Sequence, residues 1–138
     1  MKLKNKEISL ARECGIKIIY QHLITDESNK SIYKSFKDKR SYNRDYLNRI
    51  IEIFDKKSQS IKFTLSKYTD IDVKQITKID CSILYLAILE FLYLEDIPKK
   101  VIINESILLA KKFSSEDSFK FINKILDKIS KKVRNDEK

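Results

Sequence analysis

One stretch limits this chain more than any other: SILYLAILEFLYLED, residues 82–96, which is apolar almost all round. A helix with no polar face must be surrounded by other elements, so it belongs in the middle of a bundle. It is too short, and too closely flanked by charge, to span a membrane, and the chain has no run of 18 apolar residues. Thr77 to Asp80 precede it as a capping box, with the Asp carboxylate at the third helical position. One glycine and one proline in 138 residues leave few turn signals. That scarcity argues for helices throughout and against a turn-rich sheet fold. The length suits one domain with a real core, covering 1–138.

The remaining helices follow from periodicity. Residues 1–7, with Lys2, Lys4 and Lys6, read as a mobile basic arm. A first helix is expected from about Ile8 to Ile24, with Ile8, Ala11, Gly15, Ile18 and Ile19 on one face. Ala11 and Gly15 are small enough for another helix to approach closely. Arg12, Lys17 and Tyr20 fall away from the centre of that face. A short helix is expected near Asn29 to Lys39. A longer one, capped by Ser41, should run to Tyr68, with the polar DKKSQS bending or breaking it. Thr69 to Gln75 reads as a loop.

Near the C-terminus, DIPKKVIINESILLAKKFSSEDSFKFINKILDKI reads as two helices with a tight break. Pro98 suits a first helical turn. Ser115 is a good N-cap, and Glu116 and Asp117 place negative charge where the helix dipole favours it. Phe119, Ile122, Leu126, Ile129 and Val133 form one apolar stripe. Phe121 lies off that stripe, among Lys120, Asn123 and Lys124. Its ring either packs against a neighbouring helix or offers a stacking platform to an unpaired base. Tyr20 has a similar choice between an amphipathic edge position and an RNA contact.

The net charge of +9 points to a polyanion, nucleic acid ahead of membrane. The N-terminus lacks the apolar run of a signal peptide. Cys14 and Cys81 lie far apart in helical patterns and read as small buried hydrophobes in a reducing compartment. Together these features place the chain in the cytoplasm. His22, the only histidine, has no matching nucleophile, and CxxC, HExxH and GxSxG are missing. The expectation is a binding protein, with no catalytic residue, metal or cofactor.

The C-terminal stretch resembles the signature of the NusB family of transcription antitermination factors. The resemblance rests on Ile-Asn-Glu at 103–105, Leu-Ala-Lys at 109–111, Glu-Asp-Ser at 116–118, Lys120-Phe121, Asn123 and Leu126-Asp127-Lys128. ILYLAILEFLYLEDIPKKV is similar to the family's preceding helix and loop, and ARECGIKIIYQ at 11–21 to its first helix. The resemblance implies an all-α fold of two packed helical bundles, about seven helices in all. It implies binding to boxA-type single-stranded leader RNA of ribosomal RNA operons. It also implies a heterodimer with the ribosomal protein NusE, entry into the RNA polymerase antitermination complex, and in some relatives a homodimer. Carried over by position, RNA would meet Arg12, Tyr20, Asp117, Ser118, Lys120, Phe121 and Asn123. Lys2, Lys4, Lys6, Lys17 and Lys124 join them as further cations. Asp80 corresponds to an acidic NusE contact, although its capping role stands beside that.

Departures from the pattern are informative. An arginine run common in relatives is here Ile8-Ser9-Leu10. Lys124 stands where a glycine is usual, and either adds a phosphate contact or blocks a close approach. Ser114 replaces another glycine and loses an easy left-handed cap. Tyr85 stands for an arginine of the central helix. A helical protein-interaction adapter with weakened RNA contacts is therefore the alternative.

Overall fold

The computed structural model describes the backbone of residues 2–134 and the side chains of residues 5–134. Six α-helices and one 3-10 turn follow in order: α1 (Lys2–Thr25), α2 (Asn29–Ser35), α3 (Arg44–Tyr68), the turn Val73–Gln75, α4 (Lys78–Tyr93), α5 (Lys99–Phe113) and α6 (Glu116–Val133). No strand occurs among the described residues. Helix α3 bends at Lys57 (φ −117°, ψ 17°), inside DKKSQS, and splits into two helical segments. The fold is all-α, as expected.

Helix α4 is the centre. Every residue from Asp80 to Phe91 is buried, and α1, α3, α5 and α6 all pack on it. Thr77 caps it by accepting the Asp80 N–H at 3.2 Å. At its other end the Arg134 guanidinium donates to the carbonyls of Phe91, Leu94 and Ile97. A cation there satisfies orphan carbonyls and complements the dipole. A second apolar cluster lies between α1, α2 and α3, built from Ala11, Cys14, Ile18, Ile32, Leu47 and Ile51. Asp55 of α3 caps α2 by accepting the Asn29 and Lys30 N–H groups at 3.0 Å each.

The stripe predicted on α6 packs as expected. Ile122, Leu126 and Ile129 are fully buried, each contributing about 1.5–3 kcal/mol, and Ser115 caps the helix by accepting the Ser118 N–H. Cys14 and Cys81 are buried free thiols. His22 is a structural residue, its Nδ1 at 2.5 Å from the Glu27 carbonyl and its ring edge-on to Phe54. No helix among the described residues is long and apolar enough to cross a membrane.

Several boundaries differ from expectation. Helix α1 begins at Lys2 rather than near Ile8, so residues placed in an arm continue the helix; Met1 and the side chains of Lys2 and Lys4 lie outside the described residues. Asn43, not Ser41, caps α3. Helix α2 stops at Ser35, where Phe36 turns extended. Pro98 is the residue before α5 and not part of its first turn.

Candidate nucleic-acid interface

Arg12 does not face solvent. It is 4% exposed, and its Nε donates to Glu90 of α4 at 2.8 Å. Its Nη1 reaches Glu105 of α5 at 3.2 Å, and its plane lies 5.4 Å from the Tyr46 ring. Glu90 is 1% exposed and also accepts from the Tyr46 hydroxyl. An acid inside an apolar helix needs a counter-charge, and Arg12 supplies it. Burial works against the Arg12 charge, but Glu90, Tyr46 and Glu105 together hold its pKa above the usual value. The guanidinium expected to meet phosphates is held here by Glu90 of α4 and Glu105 of α5.

Glu13, the next residue, points about 100° away, toward the side of α1. Its carboxylate is nearly buried, yet it collects Arg40 at 2.5 Å, Lys112 at 2.7 Å and Lys17 at 3.3 Å. Burial opposes its charge, but these three hydrogen bonds outweigh it and hold the carboxyl down at about 2. Arg40 is further fixed by Asp38 at 2.7 Å. The outer surfaces of the cations stay open: Arg40 and Lys17 are 40% exposed at the side chain, Lys112 55%. Lys17 and Lys112 also sit 5.6 and 5.4 Å from the Phe113 ring centre, a cation–π pair of contacts that ties α1 to the end of α5.

Beyond Phe113 lies the α5–α6 corner. Ser114 is extended (φ −126°, ψ −177°), so this corner needs no left-handed residue. Its hydroxyl donates to the Asp80 carboxylate. Asp80 is 4% exposed and engaged by this bond. It forms the floor of a cleft of about 270 Å³ lined also by Thr77, Ile71, Asp117, Ser118 and Phe121. On the other side of Phe121 a cleft of about 240 Å³ is lined by Tyr68, Asp70, Ile71, Lys124 and Lys128. Asp117, Phe121, Lys124 and Lys128 follow one another at helical spacing along this flank of α6. Lys128 braces the loop from α3 through the Tyr68 carbonyl at 3.4 Å and Asp70 at 3.5 Å.

Phe121 is half-buried, packed on the core's edge, with its remaining surface in the two clefts. Tyr20 is 37% exposed, one turn beyond Lys17 on α1. Lys6, Lys120, Asn123, Lys124 and Asp117 are exposed, while Ser118 is half-buried and its N–H and hydroxyl both meet Ser115 Oγ. Arg40, Lys112, Tyr68 and Lys128 also line these surfaces and were not expected there. The run Lys37-Asp38-Lys39-Arg40 was a signal for the first.

The comparisons with known proteins agree with this fold. The NusB family model matches residues 9–131. The transcription antitermination protein NusB of Mannheimia succiniciproducens is 34% identical over 123 residues, 87% of this chain and 86% of that protein. The protein of the same name from Clostridium novyi is 32% identical over 127 residues, 88% of this chain and 96% of its own. Among solved structures, T. maritima NusB superposes with a TM-score of 0.83 at 30% identity, covering 94% of each chain. A crystal structure of antitermination factors NusB and NusE in complex with dsRNA shares the fold at a TM-score of 0.76 and 19% identity, covering 89% of this chain and 95% of that one. With the family match running from α1 to the end of α6, and with relatives above 30% identity along most of their length, this chain belongs to the NusB family.

Proposed function

We propose that this chain, as one all-helical domain, is a transcription antitermination factor. It binds boxA-type single-stranded leader RNA of ribosomal RNA operons together with NusE and so supports processive ribosomal RNA transcription. Its part is to bind and position, with no chemical step. The relatives named as antitermination proteins support the reading at the level of the family. The observation that carries it in this chain is Phe121. A half-exposed ring stands between two clefts, one lined by Tyr68, Lys124 and Lys128 and the other by Asp80, Asp117 and Ser118. An unpaired base stacks on such a ring, carboxylates accept and hydroxyls accept or donate at its edge and at the ribose 2′-OH, and the lysines meet the flanking phosphates. Asp117 accepts hydrogen bonds from the base edge or ribose in this arrangement, since a carboxylate repels phosphate.

Fluorescence anisotropy with a labelled boxA-like RNA, with and without NusE, tests this directly. Five neutralised phosphates give a slope of about −3.5 in log affinity against log salt. Phe121→Ala should cost roughly 1–3 kcal/mol of binding if the ring stacks a base. The burial of Arg12 favours the second reading, an adapter that holds protein partners alone. That reading wins if no RNA binding is measured even with NusE present.

A further inference from the structure

Along the first half of α1 runs a second concave surface, away from the Phe121 clefts. It is a cleft of about 520 Å³ lined by Lys6, Glu7 and Leu10 of α1, Arg40 and Ser41 of the α2–α3 loop, and Lys112 of α5. Its cations come from three separate elements, so folding itself brings them together. They are also held in place. Glu13, behind the cleft, fixes Arg40 and Lys112 from below, and Asp38 fixes the Nε and Nη2 groups of Arg40. Among the described residues the Nη1 group of Arg40 has no acceptor. Cations already ordered by buried carboxylates lose little entropy when they meet a ligand. The acids nearby are Glu7, Glu13 and Asp38. Glu13 and Asp38 lie beneath the cations with their charges matched, whereas Lys37 and Lys39 are exposed on the same loop and add to the positive surface.

We propose that this cleft holds the sugar–phosphate backbone of the bound RNA strand, with Arg40, Lys112 and Lys6 on the phosphates and Leu10 against a ribose. The inference rests on the RNA reading above and names a second contact for the same strand. A contiguous track supports it. Lys112 belongs both to the cleft and to the Lys17–Phe113–Lys112 group, and Ser114, next in the chain, bonds to Asp80 at the floor of the Phe121 cleft. A strand stacked at Phe121 can thus continue over the α5–α6 corner, past Lys17, into the cleft. The positive surface that α1 does not offer through Arg12 is supplied by its neighbours.

The test is the salt dependence of RNA binding, measured by anisotropy between about 50 and 200 mM salt. The variants are Lys112→Gln, Lys6→Gln and Lys112→Arg, with Lys56→Gln on α3 as control. Lys112→Gln leaves Glu13 paired with Arg40 and Lys17, so the fold is kept, and a thermal melt verifies it. Removing one phosphate contact should make the slope shallower by about 0.7, so the affinity lost across that fourfold salt range shrinks about 2.6-fold. Lys112→Arg and Lys56→Gln should keep the wild-type slope. Wild-type slopes in both glutamine variants, with Phe121→Ala still weakening binding, remove the cleft and leave the RNA reading standing. A wild-type protein that binds no RNA at all, with or without NusE, overturns both.

Discussion

Replacing Arg12 by methionine separates a structural arginine from an RNA-binding one. The substitution keeps an apolar stem of similar reach and deletes the guanidinium. Glu90 would then remain 1% exposed beside α1, with its 2.8 Å partner gone and only the Tyr46 hydroxyl left to it. Breaking a buried pair on one side costs about 3–5 kcal/mol, because the surviving charge stays desolvated. For 138 residues the unfolding entropy is about 290 cal/mol/K, so Tm should fall by about 10–17 °C. The pH dependence adds a second check. Burial pushes the Glu90 carboxyl up, and Arg12 pulls it back down. Without Arg12 the upward push of burial and the neighbouring Glu105 is opposed only by the Tyr46 hydroxyl, so the variant's folded state binds a proton more readily than the wild type. Its deficit in Tm should shrink from about pH 8 to about pH 5, because a neutral carboxyl needs no counter-charge. Far-UV circular dichroism melts at both pH values measure this. A Tm within about 3 °C of wild type, with RNA affinity lost, would refute the interior assignment and return Arg12 to the surface.

Three further outcomes follow from the same geometry. Glu13 is held at about 2 against an ordinary 4.5, so its contribution is present above about pH 4.5 and is lost as pH falls toward 2; urea unfolding across that window should show a steeper acid loss in wild type than in Glu13→Gln, and equal slopes would contradict the network. Gly15→Ala should stabilise by about 0.5–1 kcal/mol, because a methyl there meets Ile50 and Leu47 at 3.6–3.8 Å, ordinary contact distances, while the helix gains alanine's propensity; a lower Tm would show that α1 and α3 are packed too closely. Ser114→Ala leaves the buried Asp80 carboxylate without its hydroxyl donor and should cost about 1–3 kcal/mol; an unchanged melt would mean water replaces the bond at no penalty.

What could be read from the sequence was local. The apolar run at 82–96, the Thr77 cap, the Ser115 cap, the 3–4 stripe of α6 and the break in DKKSQS depend on neighbours within a turn or two, and each is present; of the capping box only the Thr77 half forms, because the Asp80 carboxylate accepts from Ser114. Arg12 could not be placed that way, because its partner Glu90 is 78 residues away. A hint did exist. Glu90 is the one charge between Ser82 and Leu94 of the apolar run, and a buried acid there calls for a cation from some other helix. The same nonlocality hid the basic cleft: Lys6, Arg40 and Lys112 share no sequence window, and only the packing of α1, the α2–α3 loop and α5 brings them together. Ser114 shows the reverse error. Judged against a glycine, it looked like a lost cap; in the fold its extended backbone needs no glycine and its hydroxyl gains a partner.

Arg12 and Glu13 are adjacent in α1, so they point about 100° apart, and the helix uses that angle to sort charge by depth. Arg12 goes inward to an acid on α4, which fixes where α1 sits along the central helix. A buried pair of this kind contributes more to register than to net stability, since its Coulomb gain offsets a desolvation cost of similar size. Glu13 points toward the side, is covered, and draws Lys17, Arg40 and Lys112 over itself. The result is an inner acid neutralised from α1 and an outer layer of cations anchored on α1, with the positive charge on the side where solvent and ligand arrive. Swapping the two side chains would invert both layers: the carboxylate would face Glu90, and the arginine would repel the three cations. The order Arg-Glu at 12–13 is therefore what links the packing of the bundle to the sign of its surface.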